Sequence, residues 1–96
     1  MSVLMEFCIF SISGKLSKSA EVAKVIRKLE SKNIAYKLNP MGTCVECKSM
    51  KKALKVLKMA SNCFDSKRFY ITAKFDCYEA RKEAFESKVR AVKEKL

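Results

Sequence analysis

The segments of this sequence predict an α+β fold of the ferredoxin-like βαββαβ type with an additional C-terminal helix. Segments with strand-like alternation and segments with helical spacing follow each other in that order. Only two Gly and one Pro leave little room for long connections. The order is typical of a split βαβ arrangement, in which two helices cover one face of an antiparallel sheet. At 96 residues, the chain is expected to form a single domain, residues 1–96.

The first strand is predicted from Val3 to Ser13, a segment rich in β-branched and aromatic residues that ends before Gly14. Its odd and even positions are both largely apolar, apart from Glu6. A strand of this kind is covered on both faces. The helices of a short chain can cover only one face, so we expect the other face to need a further cover.

The next elements are a helix and a hairpin. Ser17 or Ser19 can cap a helix that runs to about Ser31 and ends at Lys32-Asn33. Its inner stripe is predicted to comprise Val22, Val25, Ile26 and Leu29. Strands from Ile34 to Leu38 and from Thr43 to Cys47 are joined by Asn39-Pro40-Met41-Gly42, which has the Pro and Gly positions of a type I turn.

The second half of the chain is predicted to contain a helix, a strand and a final helix. The helix from Lys48 to about Cys63 has a predicted inner stripe of Met50, Ala53, Leu54, Leu57 and Ala60. The strand from Phe69 to Asp76 directs Tyr70, Thr72, Lys74 and Asp76 to the open face. The last helix, from Glu79 to Leu96, has Phe85, Val89, Val92 and Leu96 on one side.

The composition indicates a soluble protein that stays in the cytoplasm. No apolar run is long enough to span a membrane, and the N-terminal segment lacks the basic region of a signal peptide. The formal net charge of +11 favours contact with anions. The chain has no His, and no motif for a nucleophile, a phosphate loop or a dinucleotide is present, so we expect no enzymatic activity and no cofactor.

The spacing Cys44-x-x-Cys47 raises the alternative of a redox pair. Cys47 precedes a helix, where the helix dipole can lower the pKa of a thiol. Cys44 is expected inside a strand, however, and residues three apart on a strand point to opposite faces. The pattern therefore favours structural thiols, and without a second pair or a His no metal site is predicted.

Five lysines coat the second predicted helix, and they raise the alternative of a basic module that binds nucleic acid or another anionic ligand. These residues are Lys48, Lys51, Lys52, Lys55 and Lys58. A solvated helix face is the simpler interpretation. The aromatic and glycine-rich signature of an RNA-recognition strand is missing.

Three carboxylates, Glu6, Glu46 and Asp76, fall on predicted strands or strand ends. They could converge on the open face of the sheet. Only ten acidic residues stand against 21 basic ones, so such a cluster would suit a polar or cationic ligand.

Three segments resemble the small thiamine-binding-protein family. The segment from Tyr36 to Glu46, YKLNPMGTCVE, is similar to the family's Y-x-L-x-P-M-G-T-x-x-E hairpin. The segment from Phe69 to Asp76 is similar to its last strand, and the segment from Lys88 to Leu96 is similar to its closing helix. An early Glu6-Phe7 also matches, so the resemblance covers nearly the whole chain.

The resemblance implies a non-catalytic protein that binds thiamine or its hydroxymethylpyrimidine part and assembles into dimers or tetramers through its sheets. The ligand-binding residues that we expect are Met41, Thr43, Glu46, Glu6, Lys74 and Asp76. Glu46 would pair with an aminopyrimidine through charge-assisted hydrogen bonds, Thr43 would donate or accept, and Met41 would pack on the ring. Two departures, a shorter basic loop after the first strand and the lysines that follow Glu46, leave room for an anionic ligand.

Overall fold

A computed structural model describes residues 1–12, 19–81 and 84–96 of the chain. Its elements are β1 (Ser2–Ser11), α1 (Ser19–Ser31), β2 (Tyr36–Asn39), β3 (Gly42–Cys47), α2 (Met50–Ser61), β4 (Phe69–Tyr78) and α3 (Ala84–Lys93). The order confirms the predicted fold class. The predicted end of β1 at Ser13 and the candidate cap Ser17 lie outside the described residues.

The four strands form one antiparallel sheet in the order β2-β3-β1-β4. β1 is therefore a central strand. It pairs with β3 from Val3↔Cys47 to Phe7↔Thr43 and with β4 from Ser2↔Tyr78 to Ser11↔Phe69. Because alternate residues of a strand share a face, this register assigns every strand residue to one of the two faces.

The core lies between the sheet and the two helices α1 and α2. The odd positions of β1, which are Val3, Met5, Phe7 and Ile9, are at most 6% exposed. From α1, Val25 and Leu29 are buried against them, as the predicted stripe requires.

The α2 helix is rotated relative to the prediction. Its buried residues are Ala53, Val56 and Ala60, whereas Met50 and Leu54, both predicted to face inward, are 36% and 50% exposed. Spacings of three and four residues connect these buried positions, so they form one stripe. Placing Leu54 in the stripe was wrong, because Val56 occupies the position that faces the core and is only 5% exposed.

The α1 helix ends in a Schellman motif. Asn33 has φ 55°, the left-handed conformation that Asn tolerates better than most residues. The Asn33 amide donates to the carbonyl of Glu30 over 3.1 Å, and the Ile34 amide donates to the carbonyl of Leu29 over 3.0 Å. The predicted end at Lys32-Asn33 is confirmed.

The hairpin between β2 and β3 closes through the pair Asn39↔Gly42. Neither Pro40 nor Met41 has positive φ, which agrees with the predicted type I turn and excludes the primed hairpin turns. A Cβ added to Gly42 would lie 2.9 Å from the backbone oxygen of Phe7. Gly42 therefore allows β3 to lie this close to the central strand.

The final helix is shorter than predicted. β4 continues to Tyr78 because its pairing with β1 extends to Ser2, and residues 79–81 then leave the sheet. The predicted helix start at Glu79 was therefore wrong, and α3 begins at Ala84. This helix contacts the sheet on the face opposite to α1 and α2, as the hydrogen bonds described below show.

Gly42→Ala is expected to lower the free energy of unfolding by about 1–3 kcal/mol, because the added methyl group meets a backbone oxygen that cannot move aside. Urea denaturation followed by circular dichroism measures the change. Lys67→Ala, at an exposed position between α2 and β4, serves as the control and should change stability by less than about 0.5 kcal/mol. Equal stability of Gly42→Ala and the wild type would contradict the close approach.

Candidate functional site

The face of the sheet that points away from α1 and α2, called the open face below, carries all three strand carboxylates. Pairing places Lys37, Cys44, Glu6 and Lys74 side by side across the four strands. The adjacent row contains Glu46, Leu4 and Asp76. The structure thus brings Glu6, Glu46, Lys74 and Asp76 together on one face.

Glu46 is half-buried because its carboxylate contacts the start of α3. Its Oε1 accepts a hydrogen bond from the backbone N–H of Phe85 over 3.0 Å. This N–H belongs to the first turn of α3 and has no acceptor within the helix. Glu46 therefore caps α3 from a distant strand, and its negative charge suits the positive end of the helix dipole.

Asp76 is the second anchor of α3. Its Oδ2 forms ion pairs with Lys88 and, at 3.1 Å, with Nη1 of Arg81. Hydrogen bonds from Lys88 and then from Arg81 hold the pKa of Asp76 below its ordinary value of 3.8. The Arg81 side chain, only 8% exposed, also donates to the backbone carbonyls of Ser2 and Asp76. Both Glu46 and Asp76 thus hold the C-terminal segment against the sheet.

Glu6 differs from the other two carboxylates. Its side chain is exposed, and it forms no hydrogen bond or ion pair within the part of the chain that the structure describes. It lies between Cys44 on one neighbouring strand and Lys74 on the other. Glu6 is therefore the strand carboxylate that remains available to a ligand.

Cys44 and Cys47 do not form a pair, because β3 directs them to opposite faces. Cys44 is half-buried on the open face, and Cys47 is buried under the helices. Burial raises the pKa of both thiols, and the nearby carboxylates Glu6 and Glu46 raise that of Cys44 further. Neither thiol has the lowered pKa of a redox-active cysteine.

Two residues of the predicted site lie elsewhere. Thr43 is on the helix side of β3, 5% exposed and paired with Phe7, so it does not share a face with Glu46. Met41 is at the tip of the hairpin and 86% exposed. Residues 43 and 46 are three positions apart on a strand, so the sequence alone already predicts that their side chains point to opposite faces.

Sequence reasoning placed Tyr70 and Lys74 on the open face but missed Lys37, Phe10 and Phe85 as neighbours of the carboxylates. Lys37 Nζ lies 5.3 Å from the centroid of the Phe85 ring, and the rings of Phe10 and Tyr70 lie 5.6 Å apart on the open face. The alternation of β1 could have identified Phe10 as a neighbour of Tyr70, since Phe10 occupies an even position. No local pattern indicated that α3 would place Phe85 and Lys88 over the sheet.

No three acidic or Cys side chains of the described ranges (1–12, 19–81 and 84–96) are arranged to hold a metal ion. In the same ranges, no helix has the length and apolar character that crossing a membrane requires.

Asp76→Asn is expected to lower the melting temperature near pH 7, because it removes the carboxylate that pairs with the Arg81 guanidinium, which is only 8% exposed. The folded pKa of Asp76 is lowered, so its contribution is complete above about pH 4 and is lost as the pH falls through the folded pKa. The difference between variant and wild type should therefore stay constant from pH 7 to pH 5 and shrink below pH 4. Asp65→Asn is the control, and a difference that grows on acidification would contradict the assignment.

Comparisons with known proteins match residues 5–93 to the family described as thiamine-binding protein. A UPF0045 protein of Methanothermobacter thermautotrophicus is 30% identical over 83 residues, which cover 83% of this chain and 84% of the relative. A hypothetical protein from Methanocaldococcus jannascii has a similar structure, with a TM-score of 0.83, 27% identity and 97% of each chain covered.

A third relative is a candidate thiamine biosynthesis/salvage protein from Thermotoga maritima. It aligns with a TM-score of 0.76 at 20% identity, covering 96% of this chain and 99% of the other. At this identity the likeness concerns the fold alone. The family match covers nearly the whole chain and includes the hairpin, β4 and all of α3. The chain therefore belongs to the thiamine-binding protein family.

Proposed function

We propose that this protein binds a small molecule with an aminopyrimidine ring, such as thiamine or hydroxymethylpyrimidine, on the open face of its sheet and without catalysis. Family membership supports a ligand-binding role. The exposed carboxylate of Glu6 supports this position of the ligand site. It lies at the centre of the open face with no partner among the described residues.

Glu6 has the chemistry that an aminopyrimidine requires. A carboxylate accepts hydrogen bonds from an amino group, and such charge-assisted bonds are about twice as strong as neutral ones. Glu46 was the first candidate from the sequence, but its Oε1 is already used by Phe85. Asp76 is already used by two cations. Glu6 therefore takes the main role, with Lys74 beside it.

Aromatic rings for stacking lie further along the same face. Phe10 is four residues from Glu6 on β1, which corresponds to about 13 Å along a strand. Tyr70 pairs with Phe10, and Arg68 donates to its hydroxyl over 3.0 Å. Because the cation of Arg68 would repel a thiazolium ring, we place the aminopyrimidine at Glu6 and the thiazolium ring of thiamine away from Arg68.

A second copy of the chain would complete the site. Sites for small molecules bury most of the ligand surface, but Glu6, Phe10 and Tyr70 are exposed on a sheet face that a single chain leaves partly uncovered. We therefore propose a homo-oligomer, a dimer or tetramer, in which open faces cover each other. Met41 stays a proposed contact because its side chain is exposed, whereas Thr43 is left out because it faces the helices.

Isothermal titration calorimetry with thiamine and with hydroxymethylpyrimidine tests the ligand. The wild type should bind at least one of them, and Glu6→Gln should weaken binding by about tenfold to a hundredfold, because it removes a charged acceptor. No heat with either compound at about millimolar concentration would contradict the proposed ligand.

Two control variants locate the site. Glu94→Gln removes the same charge from the exposed C-terminal turn and should leave the affinity unchanged. Thr43→Val alters the residue that the hairpin motif suggested, and should also leave it unchanged because Thr43 lies on the other face. If Thr43→Val weakens binding and Glu6→Gln does not, the ligand is not on the open face.

Light scattering after size-exclusion chromatography tests the assembly. The wild type is expected as a dimer or tetramer, and Phe10→Asp should shift it towards the monomer, because a charge on this face opposes burial. Leu54→Asp, on an exposed position of α2, is the control and should leave the mass unchanged. A monomeric wild type would contradict the shared site.

A further inference from the structure

A second concave surface is lined by the C-terminal end of α1, the residues that follow it, the end of β3 and α2. A cleft of about 960 Å³ opens here, with the apolar side chains of Ile34, Val56 and Met59 among its lining. Six lysines also line it: Lys28, Lys32, Lys48, Lys52, Lys55 and Lys58. All six are exposed and none forms an ion pair with another described residue.

This cleft continues into a second cavity of about 580 Å³ between α1 and the residues that follow α2. The two share Lys28, Lys32, Asn62 and Cys63, and the second adds Lys24 and Arg27. Among the described residues that line the two cavities, the acidic ones are Glu46 and Asp65. Glu46 uses its Oε1 to cap α3 on the open face. The described residues of the combined surface, called the basic cleft below, therefore include eight cations and only two acidic residues.

The placement of these lysines lowers the stability of α2. Lys52 and Lys55 are three residues apart on the helix and repel each other, as like charges at this spacing do. Lys52 also lies in the first turn, where the helix dipole disfavours a cation and no acidic residue compensates. An anionic partner would relieve both repulsions.

We propose that the basic cleft binds the phosphate backbone of a nucleic acid duplex, independently of sequence. Lys52 and Lys58 are six residues apart on α2, which is about 9 Å at the rise of a helix. A duplex carries one negative charge per about 1.7 Å of its axis, or about five over that length. The cations of the basic cleft suit a polyanion of this density, whereas a single phosphate group would meet two or three of them.

The lining of the basic cleft also favours a duplex over other anions. Proteins that bind single strands stack bases on aromatic side chains, and no aromatic residue is among the described residues that line the two cavities. Helices that bind membrane surfaces insert a protruding apolar face, but here Val56 is buried and Ile34 and Met59 are half-buried at the floor.

Fluorescence anisotropy with a labelled duplex of 16 base pairs, at 50–200 mM salt, tests the proposal. The triple variant Lys48→Gln, Lys52→Gln, Lys55→Gln removes three charges from the basic cleft. The control Lys67→Gln, Lys93→Gln, Lys95→Gln removes three exposed charges elsewhere, so both variants fall from a net charge of +11 to +8. Circular dichroism checks that both are folded.

We expect the cleft variant to bind the duplex at least about tenfold more weakly, and its salt slope to fall by about 2.7, since each phosphate contact contributes about 0.9. The control should change affinity by less than about threefold. Three results would overturn the proposal: no complex with the wild type at 50 mM salt, equal weakening in both variants, or tighter binding to anionic vesicles at the same phosphate concentration. Titrating the cleft variant with thiamine tests ligand binding on the open face separately from duplex binding in the basic cleft.

Discussion

The pairing of β1 with strands on both of its sides is the constraint on which the rest of the structure depends. Its register with β3 and β4 assigns each strand residue to a face, because side chains alternate along a strand. A shift of one residue would move Glu6 into the core and Met5 out of it. The complete burial of Met5 and Val3 makes such a shift costly, and the position of every open-face residue follows from this.

Much of the fold could be predicted because it rests on local patterns. The apolar alternation of β1, the helical spacing of Val25 and Leu29 and the Pro-Gly turn each act within a few residues. The rotation of α2 was less predictable, since Leu54 and Val56 are both apolar and fit overlapping stripes. Only contact with the sheet decides between them.

The candidate site was harder to predict, because the role of each of its residues depends on contacts with residues far away in the sequence. The strand pattern indicated that Glu6, Glu46 and Asp76 share a face. It could not indicate that α3 returns across that face and uses Glu46 and Asp76 as its own anchors. The hairpin motif likewise suggested Thr43 as a contact, although its odd spacing from Glu46 places it on the other side of β3.

The capping of α3 by Glu46 has a consequence for the order of folding. The contact joins residues 39 positions apart, and the second anchor, Asp76, belongs to a different strand. β3 and β4 are not neighbours and are held at a fixed separation only by β1 between them. The two anchors therefore reach their relative positions only when β3, β1 and β4 have paired, and we expect α3 to dock after these three strands.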